Sequence, residues 1–457
     1  MSEEMPPSSV CEWVERTSGG KIVRATLHGR WRPQWFLDLE LPDGTIRPTM
    51  LRGIRTPGFM ADDAGSRAIL RDEAAVLRAL QNTAVKVPRY YGYHEDDWIF
   101  MERAAGQEEF SRGNPSEQAA VGRQFMDSVL ALHALDPAQL DLPDRVHNGW
   151  GKPPFGTLLK SEETFDNLDL VRPEPLFRLA RWWLHANAPP ASEQLCLLQG
   201  DCGPNQFMFD GAQLTAVVDW ELARIGDPME ELGQIRHRAM IYPMPGVPEL
   251  FQYYRERSPH TYDQRAINYH TVMWALRTPF HYTHLVHRHD TRVPEMLPLL
   301  AWDAVLRRGL CEALMEAFGV DYQPPAVPAL GELSEWDNLL LNQLHLVEKG
   351  SADDAIHVLR TRGAIALAKS SFRRAAVGAD LERQNDREIA EVLGERGLSR
   401  NDALGRLDSM VQQDPQTNGP KVLPLLYRMA YRHEFLIDPL IRNGEVTPYL
   451  GLQHMPI

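Results

Sequence analysis

The stretch LLQGDCGPNQFMFDGAQLTAVVDWELARIGDP, residues 197–228, places Asp201, Asp219 and Asp227 close in sequence to the amide side chains of Asn205 and Gln206. Carboxylate and amide oxygens are the ligands that a hard cation such as Mg²⁺ accepts, with waters and phosphate oxygens filling the remaining positions. Phosphoryl transfer asks a protein for positioning and charge neutralisation more than for covalent chemistry. One acid at the acceptor hydroxyl and a metal on the phosphates meet that demand. A surface hairpin with Asp at its turns is the plain alternative for any single Gly-Asp pair, so the joint order and spacing of the groups carry the argument.

Three short apolar runs must position these groups: CLL (196–198), FMF (207–209) and LTAVV (214–218). The Asp-Gly pair between the second and third predicts a β-hairpin. In an antiparallel pair the residue entering the first strand lies opposite the residue leaving the second, with backbones about 5 Å apart. Gln206 and Asp219 are therefore expected at one open end, with Asp201 on the loop leading in.

The series QGDCGPNQF, VVDWE and GDP resembles the aminoglycoside phosphotransferase-like family, members of the wider protein-kinase-like fold. The family pattern is HGD, five steps on to Asn, then a hydrophobic strand ending in D-W/F-E and a following G-D-P. The resemblance covers residues 20–320 or so. It implies that Asp201 orients and deprotonates the acceptor hydroxyl, that an amide and Asp219 hold Mg²⁺, that ATP is the donor, and that Asp227 is the structural Asp of the G-D-P turn. Two positions depart from the pattern. Gln199 stands where the family has His, and the five-step position holds Gln206, with Asn205 one residue early. The thirteen-residue interval from Gln206 to Asp219 matches the family spacing, so the ligand role falls to Gln206, with Asn205 in reserve. A Gln carbonyl ligates as an Asn carbonyl does, but its extra methylene lengthens the reach and costs side-chain entropy.

A kinase-like site also needs a cation on a strand to hold the donor phosphates and a helix carboxylate to fix that cation. Arg52 ends the run MLRGI, where the related families place Lys or Arg. Glu73 lies among Ile69, Leu77 and Leu80 on the inward face of a predicted helix, where an unpaired carboxylate is costly. An Arg52–Glu73 pair joined by two parallel hydrogen bonds would satisfy both. The phosphate-covering loop is expected near ATLHGRWRPQ (25–34), which offers only Gly29. The run IFMERAAG resembles the hinge between lobes, where backbone groups around Met101–Arg103 would meet an adenine.

The surrounding pattern gives an α+β fold class: a two-lobed kinase-like fold followed by an all-α C-terminal domain. After a loose N-terminus, WFLDLEL (35–41) and TIRPTMLRGI (45–54) read as a hairpin through the turn PDG. SRAILRDEAAVLRALQN predicts a helix over 66–82 capped by Ser66, and two more short strands follow. Residues 20–103 thus form a small β-rich lobe and 104–322 a mainly helical one. The Pro-rich break QPPAVPALGE (323–332) precedes an all-helical domain over 333–457.

Composition bounds the partners. With 457 residues, 43% of them hydrophobic, the chain can bury more than one core. Its net charge of -14 argues against a nonspecific nucleic-acid binder. The start MSEEMPPSSV lacks the basic end and apolar core of a signal peptide, and no run reaches the roughly 18–20 apolar residues of a membrane span. Four scattered cysteines fit a reducing compartment, so a cytoplasmic protein without membrane or nucleic-acid partners is expected. His281, His284, His287 and His289 in HYTHLVHRH read as an exposed helix face before a metal site. Trp274 and Tyr282 are core residues by default and acceptor-pocket residues if the fold holds. Arg360, Arg362, Arg373 and Arg374 read as a solvated surface.

The function expected is ATP- and Mg²⁺-dependent phosphorylation of a hydroxyl on a small molecule. The rival is a catalytically silent kinase-fold protein that binds a nucleotide or metabolite as a regulator or scaffold, which Gln199 and Gln206 favour. A protein kinase is disfavoured by the short distance from Asp219 to GDP. Homodimer contacts, cover for the acceptor site, or recruitment of a partner are the roles open to the C-terminal segment.

Overall fold

Along residues 33–40, Trp35, Leu37 and Leu39 are buried while their neighbours are not, the period-two pattern of a half-covered strand. The computed structural model describes residues 5–29, 32–54, 63–148, 151–152, 154, 156–166, 173–192, 194–288, 296–350, 355–442 and 451–455. In the small lobe, β1 (Lys21–Gly29), β2 (Pro33–Glu40), β3 (Ile46–Gly53), β4 (Tyr90–His94) and β5 (Trp98–Glu102) form an antiparallel sheet in the order β1-β2-β3-β5-β4. One face packs on the helix Ser8–Ser18 through Val10, Val14, Leu37, Leu51 and Phe100. The helix Asp63–Leu80 presents Leu70, Val76, Leu77 and Leu80 to a second core with Ile99 and Met101.

The N-terminus is therefore not loose: a helix and a strand precede the expected hairpin. Two valines at i and i+4 suffice to dock that helix, a stripe too sparse to stand out in SSVCEWVERTS. Ser66 is not a cap either; it is buried within a helix whose described part begins at Asp63.

The helical lobe begins with the helix Pro115–His133, opened by a capping box between Asn114 and Glu117. Two small sheets follow, one pairing β6 (Cys196–Leu198) with β9 (Arg224–Gly226) and one pairing β7 (Phe207–Asp210) with β8 (Gln213–Val217). The helices Pro228–Ile241, Gln264–Arg288 and Met296–Phe318 complete it. The core of Leu77 and Met101 runs on without a break through Phe125, Phe207, Trp220 and Leu232, so the two lobes share one apolar contact surface.

The described segment beyond 333 is all-α, as expected, but it does not close a core of its own. Leu407, Val411, Val422 and Leu426 pack with Leu179, Leu184, Leu310 and Leu314 of the helical lobe. Buried Arg308 joins Glu312 at 2.6 Å and Glu434 of the helix Pro415–Arg442. The Pro-rich 323–332 thus separates stretches of chain, not cores: the helix Met296–Phe318 is apolar on two sides and needs both neighbours. All four cysteines are free. Among the described residues, no helix is long and apolar enough to cross a membrane.

His237 and His270 are buried on the facing helices Pro228–Ile241 and Gln264–Arg288, and among the described residues neither ring has a hydrogen-bond partner for either nitrogen. Burial, then Arg238 and Arg277, push His237 down to about 3. Burial also lowers His270, in spite of Glu230 and Asp227 nearby. Both rings are neutral in the folded protein yet gain protons near pH 6.5 when unfolded, so the unfolded state binds more protons below that pH. Stability should be fully present above about pH 6.5 and fall below it, by at most about 1.4 kcal/mol per pH unit for each ring. Urea titrations between about pH 7.5 and 5.5 should show this decline, and His237→Gln should flatten it. A variant as steep as the wild type would refute the assignment.

Candidate active site

The β7–β8 hairpin pairs Phe207 with Val217, and the Val218 N–H donates to the Gln206 carbonyl at 2.9 Å. Gln206 and Asp219 therefore share the open end, as their spacing requires. Gln206 Nε2 donates to Asp219 Oδ2 at 3.3 Å and, more closely, to Asp201 Oδ2. Two carboxylates and an amide thus converge on one point, and the amide N–H group satisfies both acids as a cation would. Turning the amide over presents its carbonyl oxygen instead, which completes an oxygen donor set suited to a hard divalent ion. Asn205 lies in a left-handed turn at φ 67°, and it is Gln206, not Asn205, that reaches the two acids. Asp219 is also left-handed at φ 62°. Such conformations are uncommon outside glycine and concentrate at functional sites.

The loop carrying Asp201 is held mainly by one helix. Glu231, Gln234 and Arg238, at i, i+3 and i+7, share a face of Pro228–Ile241. Glu231 accepts the N–H groups of Gln199 at 3.2 Å and Gly200 at 3.0 Å, and meets His133 Nε2 at 3.0 Å. Gln234 accepts the Cys202 N–H at 2.9 Å and donates to the Gly200 carbonyl at 2.8 Å. Arg238 donates to the Pro204 carbonyl through Nε and Nη2 and reaches Asp201 Oδ2 with Nη1 at 2.7 Å. Gly203 leaves room for the Arg238 stem: a Cβ there would lie 2.9 Å from it. At Gly200, φ +90°, a Cβ would fall 1.9 Å from the Leu222 carbonyl oxygen, so no other residue fits.

Gln199, which departs from the family His, is buried and fully used. Its Nε2 donates to the carbonyls of Val218 at 2.9 Å and Asp219 at 2.7 Å, and its Oε1 accepts the Asp201 N–H at 2.7 Å. One side chain thereby ties the backbone of Asp201 to that of Asp219. Asp227 caps the helix Pro228–Ile241 through the Met229 N–H at 2.8 Å, the structural role expected of it. Burial raises its carboxyl above the usual range.

Across the cleft, Arg52 Nε donates to Glu73 Oε2 at 3.0 Å, confirming the proximity of the pair. The two parallel bonds expected do not form. The guanidinium is divided, with Nη2 donating to Asp219 Oδ1 and lying 3.7 Å from Glu221. Burial opposes the Arg52 charge, but Glu73 and Asp219 outweigh it and raise the pKa above that of an ordinary Arg. Arg32, buried just before β2, pairs with Glu221 and stands 3.7 Å from Glu73. These charges form one end of a cleft of about 220 Å³, whose walls include Phe36, Met50, Leu77, Met101, Met208 and Val218. At the hinge the N–H groups of Glu102 and Arg103 are engaged within the sheet, by Arg89 O at 2.8 Å and Pro48 O at 3.4 Å. Met101, Glu102 and Arg103 nevertheless line the cleft, where the hinge was expected. Arg103 pairs with Asp38 at 2.8 Å and lies over the Phe36 ring.

Sequence reasoning missed Arg32, Glu221, Glu231, Gln234 and Arg238. The one available signal was the i, i+3, i+7 spacing of the last three on a single helix face. Trp274 is core, packed beside Arg277 and Arg224. The side chains of His281, His284, His287 and Tyr282, and all of His289, lie outside the described residues. Arg362 meets Glu348 and Arg373 meets Asp438 at the surface. Arg360 and Arg374 likewise lie in the exposed C-terminal helices.

Residues 44–267 match the model of the phosphotransferase enzyme family, and this two-lobed part of the chain belongs to that family, with a protein-kinase-like fold. Acyl-CoA dehydrogenase family member 11 of Rattus norvegicus is 27% identical over 177 residues, covering 36% of this chain and 22% of that protein. The chain thus spans about a fifth of the length of this curated relative. Among solved structures, an inferred aminoglycoside phosphotransferase of Ralstonia eutropha is 19% identical, covering 66% of this chain and 96% of its own, with a TM-score of 0.48. A thermostable mutant aminoglycoside phosphotransferase in ternary complex with ADP and hygromycin B is 16% identical, covering 66% and 98%, with a TM-score of 0.45.

If Glu231 sets the Asp201 loop, Glu231→Ala leaves two buried N–H groups without acceptors and should destabilise the fold by about 2–5 kcal/mol. Glu231→Gln, which keeps one acceptor oxygen, should lose about half as much. Denaturant midpoints check both; equal losses for the two variants would contradict the role.

Proposed function

We propose that the chain transfers the terminal phosphoryl group of ATP, with Mg²⁺, to a hydroxyl of a small molecule. The convergence of Asp201, Gln206 and Asp219 beside a cleft that the last two line carries this reading. Gln206 and Asp219 would hold the ion, which, when bound, supplies charge neutralisation on the donor phosphates. Met50, Met101 and Met208 offer polarisable walls for a base, with Ala104, also on the cleft, the nearest hinge backbone beyond the engaged Glu102 and Arg103. Arg52, steadied by Glu73, would face the phosphates in place of its present contact with Asp219.

Asp201 is suited to orienting an acceptor. Arg238 and Gln206 occupy its Oδ2, while Oδ1 has only a long 3.5 Å contact from Gln234. The freer oxygen can accept a hydrogen bond from an incoming hydroxyl and take its proton as the new P–O bond forms.

The purified protein should turn over ATP in the presence of Mg²⁺, slowly with water and faster with a suitable alcohol. Asp201→Asn should lower that rate by about 10²–10⁴-fold while leaving the ATP-induced rise in melting temperature in place. Asp219→Ala should remove the Mg²⁺-dependent part of that rise. A wild type that shows the thermal shift but never turns over ATP would favour the silent binder instead.

A further inference from the structure

Of the thirteen large hydrophobic side chains exposed among the described residues, seven fall between Leu330 and Val347: Leu330, Leu333, Trp336, Leu339, Leu340, Leu346 and Val347. Five of them lie on the helix Glu335–Gly350. At about 100° per residue, Trp336, Leu340, Gln343 and Val347 occupy one narrow sector, with Leu339 and Leu346 beside it. The steps of four, three and four are the spacing of a helix-pairing seam. The helix already has an inner face, where Leu341 is buried and Leu344 and Glu348 are half-buried, and it packs on the helix Ala355–Arg373. The apolar stripe is a second face. Trp336, 79% exposed, is its most open member.

Together the seven side chains expose on the order of 700 Å² at roughly 200 Å² for a full residue, above the few hundred typical of a monomer's largest apolar patch. That is close to the roughly 800 Å² each partner contributes to a standard interface. We propose that this stripe is a homodimer interface, in which the helix Glu335–Gly350 packs antiparallel on the same helix of a second copy about a two-fold axis near its midpoint. The charges favour this occupant. Glu332 and Glu335 lie at the N-terminal end and Lys349 at the C-terminal end. Among the described residues, neither Glu335 nor Lys349 has an ionic partner in its own chain, whereas Asp337 is used in a cap with Ser334 and Glu348 is held by Arg362. An antiparallel two-fold pairing sets Glu335 opposite Lys349 of the partner subunit twice over. A parallel pairing would set like charges together. The contact is isologous, so it closes at two copies.

Light scattering across a dilution series of the full chain tests this. The wild type should elute at twice the mass of one chain. Leu340→Glu, at an exposed position, should give a monomer that melts where the wild type does once diluted below its dissociation constant. Glu335→Lys should weaken the dimer at least tenfold, and adding Lys349→Glu in the same chain should restore it. A wild type monomeric at every concentration would overturn the proposal, as would a dimer that survives Leu340→Glu. A charge swap that fails to restore pairing would overturn the antiparallel arrangement.

Discussion

Buried charges need partners where they lie, and at the junction of the two lobes two arginines are held among three carboxylates. Arg52 of β3 and Arg32 just before β2 face Glu73 of the helix Asp63–Leu80 and Asp219 and Glu221 of the segment after β8. Removing either arginine would leave one cation facing three acids, two of them buried, which is far costlier than any surface pair is worth. The group therefore orders three pieces of chain that are distant in sequence, and it does so at the point where the cleft meets the hairpin. The net excess of acid in this set leaves a place for further positive charge, which is the electrostatic condition for a divalent cation beside Asp219.

Around that junction the rest of the architecture supplies rigidity. The continuous core from Leu77 to Leu232 fixes the sheet against the helical lobe, and the face of Pro228–Ile241 sets the Asp201 loop through hydrogen bonds to its backbone. Gln199 then links that loop to the hairpin end. Its replacement of a family His is not a vacancy in the site. An amide offers a donor and an acceptor at once, and here both are spent on holding the backbone groups that flank the two acids. The all-helical C-terminal segment buttresses this lobe from behind, since its apolar residues complete a core that Pro175–Ala186 and Met296–Phe318 begin.

How far the site was legible depended on whether its geometry is local. The hairpin was readable because the Asp-Gly turn and the two apolar runs determine a register, and the register determines which residues share an end. The Arg52–Glu73 pairing was readable because an inward carboxylate on an amphipathic helix needs a cation. Arg32 was not, because nothing in GRWRPQ indicates that an arginine after a short turn folds back into the cleft. Nor was the division of the Arg52 guanidinium between two acids. That division depends on the exact approach of the lobes, which no pattern within either lobe encodes. The helix Ser8–Ser18 escaped notice for the opposite reason: its buried stripe is only two valines long.

The order and spacing of Asp201, Gln206, Asp219 and Asp227 determined the family, the kinase-like fold and the meeting of an amide with two acids, because strand pairing turns sequence intervals directly into distances. Only the tertiary structure decided which of the two adjacent amides faces those acids, that Arg238 holds one of them, and that the last helices share a core with the lobe before them. These depend on side-chain direction and on packing between elements hundreds of residues apart. Such contacts are selected by mutual fit in three dimensions and leave no periodic trace in the chain.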